Sequence, residues 1–552
     1  MSAPAIDIEL TRTRAHALAW RWPFVSAVIA LIGHTLLWHP DWVLGKDSDV
    51  YLGVARSLLR GEGFMFNGNP AIMVQPLYPA LLALGFWLGF DLGDLKLLNV
   101  ACYMGYAALW TAILTRWTTP RAACFIAALA SLLSPVTFIS SLFFTDALFA
   151  MLAAATLLLA MQIAEGKPVA NRFAFMLLLL GLAHASRAAG LIWMIVPATT
   201  LLSNGRWRRR LNWLLPIGTI VFVIALHLTI NSVMKHYMPP VDPKLDNFLG
   251  RRYEIINDPT GHTTFFDRAL RPGKWVATLL IEPLARNRPY SWPSTIAGTI
   301  FGGFCAYFMI VRARLGDWVL LGAAAYGYAI CLNWTNVIGR YWFPIAPLVM
   351  ISGWLGWQRV IEHMRCGGVI CIPCNMRAIG VVALIGMMVV NLFSYVLEIR
   401  VSRSPNPLTR HDGGANVALV QIADMLRDKK DGVAISHTRI NRNRSLQTLN
   451  FLRAFHLLID RPVYVPQMEM DHFPDRSLAD WMIANKLRYY VFQPETHITF
   501  YDRGKMFDPR DDNKFDMDWR LYEIDKKRRK LVRIPITAPP RRVAQLPGLQ
   551  RR

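Results

Sequence analysis

The stretch KDSDVYLGVARSLLRGEGF, residues 46–64, follows the first long apolar segment of the chain and carries two carboxylates, Asp47 and Asp49. From Val50 onward, apolar residues recur every four positions, which predicts an amphipathic helix at a membrane surface. Asp47 stands at the N-terminal end of that helix. A carboxylate there can cap the helix or face a cleft and accept a proton, and its two oxygens allow both roles at once.

The composition of the chain fits a membrane protein with one sizeable polar region. Of its 552 residues, 54% are hydrophobic and 18% are charged, and the mean hydropathy is +0.29. The formal net charge is +23, and the basic residues fall largely in short clusters between apolar runs. Such clusters are typical of orientation signals and headgroup contacts. The charge pattern therefore indicates a lipid bilayer and gives no support for a nucleic-acid partner.

Eleven apolar segments have the composition of membrane-spanning helices. They lie at residues 22–38, 97–115, 122–142, 147–163, 173–185, 188–203, 213–233, 296–311, 317–334, 341–357 and 378–396. Residues 1–21 carry several arginines, which predicts a cytoplasmic N-terminus followed by an uncleaved signal anchor. Residues 22–396 form the predicted transmembrane domain. A further apolar stretch, residues 76–90, is a twelfth candidate.

The basic clusters decide whether residues 76–90 are predicted to cross the bilayer. With eleven spans and a cytoplasmic N-terminus, all five clusters lie on the cytoplasmic side, in agreement with the positive-inside rule. They are residues 115–121, 166–172, 205–210, 311–314 and 358–377. A twelfth span would place every one of them outside. Residues 76–90 are therefore predicted to form a re-entrant or surface helix within one long outer loop, residues 39–96.

The same orientation places the loop 234–295 and everything after residue 397 on the outer side. In residues 397–540, helical patterns alternate with short strand-like runs, which predicts a small extracytoplasmic α/β domain. Residues 541–552 are predicted to be a basic tail. The predicted fold class is thus a polytopic α-helical membrane protein with about eleven transmembrane helices. It also has a long first outer loop and a small C-terminal α/β domain.

Three more charged residues, Asp146, Arg187 and Arg340, lie at the outer ends of predicted spans, on the same side as Asp47. Each has an ordinary explanation, since an acid can cap a helix and an arginine can extend to lipid headgroups. Arginines also bind phosphate oxygens through paired donors. Two acids and two arginines on one face suit transfer from a lipid phosphate. An acid would accept the proton of a hydroxyl, and the cations would stabilise the leaving phosphate.

The chain resembles the GT-C type integral-membrane glycosyltransferases. More closely, it is similar to the branch that contains the aminoarabinose transferases of lipid A and the dolichyl-phosphate-mannose protein mannosyltransferases. Five stretches carry the resemblance, in order, across roughly residues 20–360. They are DSDVYLGVARSLLRGEGF (47–64), QPLYPALLALGFWLGF (75–90), FFTDALFAMLAAATLLLA (143–160), SRAAGLIWMIVP (186–197) and IGRYWFPIAPLVM (338–350).

The resemblance implies an enzyme that takes a sugar from a polyprenyl-phosphate donor on the outer face of the membrane. It would transfer the sugar, usually with inversion, to a lipid, glycan or protein hydroxyl. The two acids of the family pattern fall on Asp47 and Asp146. An Arg-Tyr pair of the pattern falls on Arg340 and Tyr341, which are expected near the donor phosphate, and Arg187 is assigned to the same phosphate.

The chain departs from the family pattern beside the first acid. Where the family often has Asp-Glu, this chain has Asp47 and Ser48, and its secondary acid stands one position later, at Asp49. Paired acids bind a divalent cation in some members of the family. The departure therefore leaves open whether a divalent cation takes part.

Other functions remain open from the sequence. A polytopic transporter or flippase of a lipid-linked sugar should carry ionisable residues near the middle of its spans, and a membrane scaffold should tolerate loss of both acids. A polysaccharide polymerase or ligase that uses a diphosphate-linked donor is a third alternative. The predicted location is the bacterial inner membrane, with the active site and the C-terminal domain on the extracytoplasmic side.

Overall fold

Helices make up most of the computed structural model of the chain. The structure describes residues 21–40, 47–71, 74–133, 136–137, 140, 142–203, 213–237, 276, 279–280, 292–333, 339–366, 375–402, 413–437, 455–464, 476–493 and 520–537. The predicted loop 234–295, the basic cluster 358–377 and the region 397–540 lie partly outside the described residues. The predicted N-terminal segment 1–21 and the tail 541–552 lie almost wholly or wholly outside them.

The predicted transmembrane domain contains fourteen described α-helices. They are α1 (Arg21–Leu37), α2 (Asp47–Leu59), α3 (Leu77–Trp87), α4 (Leu92–Leu114), α5 (Pro120–Ser131), α6 (Asp146–Ala164), α7 (Ala170–Ser186), α8 (Gly190–Trp193), α9 (Ile195–Leu201), α10 (Leu214–Tyr237), α11 (Trp292–Arg314), α12 (Val319–Asn333), α13 (Ala346–Cys366) and α14 (Asn375–Ser402). Each predicted apolar segment contains at least one of these helices. A 3₁₀-helix, Gly339–Ile345, immediately precedes α13.

Five of the described helices are long and apolar enough to cross a membrane, namely α4, α6, α10, α11 and α14. Several other apolar helices have only 10–17 residues. The number of eleven spans therefore stays a prediction.

Two predicted segments are interrupted or shortened. The segment 188–203 is divided into α8 and α9, with Met194 between them. Pro197 explains the break, because it has no N–H to donate to the carbonyl of Trp193, four residues earlier. In the segment 122–142, α5 ends at Ser131. The sequence places Pro135 shortly after that end, and proline disfavours a helical conformation in the residue before it.

The described residues of the predicted first outer loop form two helices and a small hairpin. Strands β1 (Met65–Phe66) and β2 (Asn69–Pro70) pair antiparallel between α2 and α3. Helix α3, which corresponds to the apolar stretch 76–90, has 11 residues and packs against α2. Its length is about 16 Å, roughly half the thickness of a hydrocarbon core. A single helix of this length is too short to cross a bilayer.

The membrane helices share one apolar core. Helix α1 packs against α4, α4 also packs against α5 and α6, and α6 packs against α7. The largest fully buried side chains of the core include Trp110, Trp193 and Tyr326. The start of α4 is fixed by a capping box, in which the Asp91 side chain accepts from the Asp94 N–H at 2.8 Å and the Asp94 side chain accepts from the Asp91 N–H at 3.1 Å.

In the C-terminal region, helices pack on a four-stranded sheet in the order β3-β4-β5-β6. Its described elements are α15 (Gly413–Leu426), β3 (Gly432–His437), α16 (Arg476–Ala484), β4 (Leu487–Gln493), β5 (Arg520–Asp525) and β6 (Lys530–Ile534). Strands β3 and β4 are parallel, and the other pairs are antiparallel. Side chains on one face of this sheet belong to the same apolar core as α2 and the membrane helices, so the two regions are packed as one body.

Candidate active site

Two acid–arginine pairs meet around one aromatic ring. Arg187 forms an ion pair with Asp146, and Arg340 Nη2 lies 3.3 Å from Asp47 Oδ2. The guanidinium groups of Arg187 and Arg340 lie 4.7 and 5.2 Å from the centre of the Tyr341 ring. Positive groups at such distances are attracted to the electron-rich ring. The structure thus brings these five predicted site residues together.

Each of the charged residues stands at the end of an element. Asp47 and Asp146 are the first residues of α2 and α6. Arg187 follows the last residue of α7 and has an extended backbone, and Arg340 lies in the 3₁₀-helix. Helix ends leave backbone N–H and C=O groups without partners inside the helix. The site is therefore assembled where four separate elements end near one another.

The 3₁₀-helix that carries Arg340 and Tyr341 is held by two buried tyrosines. The Tyr106 hydroxyl donates to the carbonyl oxygen of Phe343 at 2.7 Å, and the Tyr326 hydroxyl donates to that of Tyr341 at 3.3 Å. A short 3₁₀ segment leaves carbonyl groups that need donors from elsewhere. These bonds from α4 and α12 fix the backbone next to the arginine.

The Arg340 side chain is largely buried and keeps an unused donor. Its guanidinium group lies 4.7 Å from the centre of the Phe144 ring. Burial lowers the pKa of this arginine, but the neighbouring Tyr341, Asp146 and Asp47 raise it more, so its pKa lies above the usual value. Within the described part of the chain, its Nε has no hydrogen-bond partner. Leaving a buried donor unsatisfied costs about 1–3 kcal/mol, which an incoming acceptor would recover.

The geometry of the site favours an anionic ligand. Among the residues that the structure describes, no three His, Cys, Asp or Glu side chains are grouped as a metal ion would need. Asp47 and Asp146 instead face arginines, and a guanidinium group competes with a cation for the same carboxylate oxygens. The free donor of Arg340 points to an acceptor such as a phosphate oxygen.

Asp49, the predicted secondary acid, is placed differently. It is fully buried in the first turn of α2. Two residues along a helix correspond to a rotation of roughly 200°. Asp49 therefore lies on the opposite face of α2 from Asp47.

Tyr51 belongs to the site, although the sequence did not mark it as a site residue. Its hydroxyl is hydrogen-bonded to the side chain of Thr145, and its ring lies edge-on to Tyr78 at 5.5 Å. Burial, together with the charge of Asp47, raises the pKa of Tyr51 to about 12. The spacing could have identified Tyr51 as a site residue, because it follows Asp47 by four positions and so shares its helix face.

Replacing Tyr51 with phenylalanine should lower kcat about 10-fold, because its hydrogen bond to Thr145 beside Asp146 is lost. The pH dependence of kcat should keep its shape up to about pH 10, since a phenol with so high a pKa stays protonated there. The measurement is kcat against pH, with Tyr522→Phe in the distant sheet as a control. An unchanged kcat would remove Tyr51 from the site. If the variant lost a fall in kcat that the wild type shows at high pH, the raised pKa of Tyr51 would be contradicted.

Solved structures with a similar fold were found. ArnT from Cupriavidus metallidurans in the apo state aligns with a TM-score of 0.50 and 15% identity, over 87% of this chain and 94% of that one. The chain has the GT-C glycosyltransferase fold. ArnT bound to undecaprenyl phosphate gives the same TM-score and identity, over 88% and 95%.

The archaeal oligosaccharyltransferase AglB from Archaeoglobus fulgidus, in complex with an inhibitory peptide and a dolichol-phosphate, has the same GT-C fold. It aligns with a TM-score of 0.50 and 12% identity, over 86% of this chain and 69% of that one. No protein-family model and no curated protein sequence matches the chain. The GT-C fold and the apolar helices together make the chain an integral membrane protein.

Proposed function

We propose that the protein is a glycosyltransferase. It moves a sugar from a polyprenyl-phosphate donor to a hydroxyl group of a lipid, glycan or protein on the outer face of the membrane. The observation that carries this proposal is the convergence of Arg187 and Arg340 on Tyr341, each beside an acid. Two solved structures of the same fold hold a lipid phosphate, undecaprenyl phosphate in ArnT and dolichol-phosphate in AglB.

The arginines bind the phosphate that leaves. In the reaction the bond between the sugar C1 and the phosphate oxygen breaks, and a bond from C1 to the acceptor oxygen forms. The electron pair of the broken bond goes to the lipid phosphate, whose negative charge increases. Arg340 is held by its backbone and by aromatic rings before the donor arrives, so its donors stabilise that charge with little reorganisation. Arg187 adds a second positive charge beside Tyr341.

Asp47 accepts the proton of the acceptor hydroxyl. Its contact with Arg340 is 3.3 Å, longer than the 2.7–2.9 Å or so of a strong charge-assisted hydrogen bond. Such a contact is readily exchanged. When the donor phosphate engages Arg340, a carboxylate oxygen of Asp47 becomes available to the acceptor. Donor binding thereby prepares the base for its role.

Asp146 holds Arg187 in place. Its carboxylate is 3% exposed and is paired with Arg187. Because a buried carboxylate needs a partner, this acid is suited to fixing the arginine. It therefore supports the phosphate site and leaves proton transfer to Asp47.

The position of these charges argues against a transporter or flippase. Asp47 and Asp146 begin helices, and Arg187 follows the end of one. A transporter needs ionisable groups near the middle of its spans. A polymerase or ligase with a diphosphate-linked donor would use the same two arginines, and a donor assay separates that alternative.

The test is a transfer assay with the purified full-length protein in nanodiscs. Candidate donors are labelled sugars on undecaprenyl phosphate and on undecaprenyl diphosphate. Mass spectrometry of envelope lipids and glycans, from bacterial cells with and without the gene, identifies the sugar that disappears and the acceptor that carried it. We expect transfer from the monophosphate donor alone. Transfer only from the diphosphate donor would favour the polymerase or ligase, and an unchanged envelope with no transfer would contradict the proposal.

A further inference from the structure

Helix α2 presents two polar faces to two different partners. At roughly 100° of rotation per residue, positions 47 and 51 lie on one face. Positions 49, 53, 56 and 60 fall within about 60° of one another on the opposite face. The first face carries Asp47 and Tyr51 into the candidate active site. The second contains Gly53 and Arg56, which contact the C-terminal region.

Arg56 is anchored by residues 455–463, a segment we call the clasp. Its side chain is 3% exposed and lies 2.8 Å from Asp460 Oδ1. It also donates to the Leu457 carbonyl oxygen at 3.2 Å, and its Nη2 lies 3.2 Å from His456 Nε2. A buried arginine with three acceptors of this kind is fixed in position.

A second arginine, which directly follows the last residue of α2, binds the same carboxylate. Arg60 Nη2 lies 2.7 and 2.8 Å from the two oxygens of Asp460. Asp460 therefore joins Arg56 and Arg60, one helical turn apart, to the clasp. One attachment point within the helix and one just after its end restrain the rotation of α2 as well as its position.

His456 serves this contact in its neutral form. Its Nδ1 donates to the Arg461 carbonyl oxygen at 2.9 Å, which leaves Nε2 to accept from Arg56 and from the Asn67 N–H at 3.3 Å. Burial, with the charge of Arg56, lowers the pKa of His456 to about 3. The acceptor is therefore available throughout the neutral pH range.

The hairpin that follows α2 is fastened to the same segment. The Asn67 side chain donates to the Val463 carbonyl oxygen at 3.0 Å and accepts from its N–H at 2.8 Å. A Cβ added to Gly53 would lie 2.5 Å from the Phe66 ring and 3.3 Å from Leu457. Only glycine allows this close approach of α2 to the hairpin and the clasp.

We propose that the clasp positions the catalytic helix, and that Arg60 and Asp460 are positioning residues for the transfer reaction. The clasp holds the C-terminal half of α2, and the stiff helix transmits that restraint to Asp47 and Tyr51 at its other end. The catalytic part of this inference rests on the proposed function. A displacement of about 1 Å at reacting groups can cost about 10²-fold in rate.

The test uses Arg60→Ala, Asp460→Ala, their double variant and Asp460→Glu in the full-length protein in nanodiscs. Arg60 is 32% exposed. Its removal therefore leaves fewer buried polar groups without a partner than removal of Asp460 does. Arg488→Ala is the matched control, because it breaks another Arg–carboxylate contact, 2.6 Å from Glu523, in the sheet. Thermal unfolding checks that every variant is folded.

We expect Arg60→Ala and Asp460→Ala each to lower kcat about 10-fold, with the KM for the donor unchanged within about twofold. The double variant should be no slower than Asp460→Ala, because both changes break one contact. Asp460→Glu should recover most of the rate. A wild-type kcat, or a loss equal to that of Arg488→Ala, would overturn the proposal.

Hydrogen–deuterium exchange separates failure of the clasp from failure of the proposed function, because it needs no substrate. In Asp460→Ala, amide exchange should rise at residues 47–52, far from the mutated side chain, and stay unchanged in α16. If the wild type shows no transfer but exchange rises as expected, the clasp holds and the function is wrong. Exchange that rises only around residues 455–463 would refute transmission along α2.

Discussion

Replacing Asp47 with asparagine should lower kcat for sugar transfer by about 10³-fold, within the range that a general base contributes. Asparagine keeps the size of the side chain but cannot accept a proton at neutral pH. Arg340 and Asp47 are only 11% and 17% exposed, so loss of the ion pair should also lower the free energy of unfolding, and the rate is compared only for protein that is folded. The measurement is kcat with a labelled lipid-linked sugar, together with expression level and thermal unfolding.

The control for Asp47→Asn is Asp94→Asn. Asp94 lies in the same predicted loop, residues 39–96, and also serves the N-terminus of a helix, as part of the capping box of α4. If Asp47 only capped α2, the two substitutions would have similar, small effects on kcat. A near-wild-type rate for Asp47→Asn would show that capping is its whole role, and Asp146 would then be the remaining candidate base.

Replacing Arg340 with lysine should lower kcat/KM for the donor by about 10²-fold. Lysine keeps the positive charge but loses the planar set of donors, including the Nε that has no partner within the described residues. Loss of one preorganised donor to a developing charge commonly costs about 10²–10³-fold in rate. The measurement is kcat and KM for the donor, with inhibition by undecaprenyl phosphate as a direct measure of phosphate binding.

Arg312→Lys is the control for Arg340→Lys. Arg312 pairs with Asp317 at 2.8 Å in a part of the chain away from Tyr341. We expect wild-type kinetics from this variant, because it changes an arginine–carboxylate pair without touching the site. If Arg340→Lys retained full kcat/KM and full sensitivity to undecaprenyl phosphate, the donor phosphate would have to bind elsewhere.

The sequence grouped the charged residues of the candidate site through the predicted membrane topology. The positive charge of the five basic clusters predicted the orientation of the chain. In that orientation, one side of the bilayer carries Asp47, Asp146, Arg187 and Arg340. The length and apolar composition of each predicted segment indicated a helix, and the structure has a helix in each one. The structure adds the pairing of each acid with a particular arginine, and it adds Tyr341 as the ring that both arginines share.

Other features depend on contacts that periodicity does not encode. The clasp joins Arg56 to His456 through side chains whose sequence neighbourhoods show no shared pattern. Asp49 had looked like a second site acid because it stands close to Asp47 in sequence, yet helical rotation separates the two faces. The break between α8 and α9 could have been predicted from Pro197, but a long apolar run concealed it.

The clasp also sets the order in which the molecule is completed during synthesis. Arg56 and Leu457 are separated by 401 positions along the chain. The ribosome must therefore make the chain at least as far as the clasp before α2 can be fastened to it. Until then, α2 is held by its contacts with segments translated earlier, such as the pair of Asp47 with Arg340. The restraint that we propose on Asp47 and Tyr51 is consequently acquired only after the described helices α3 to α14 have been translated.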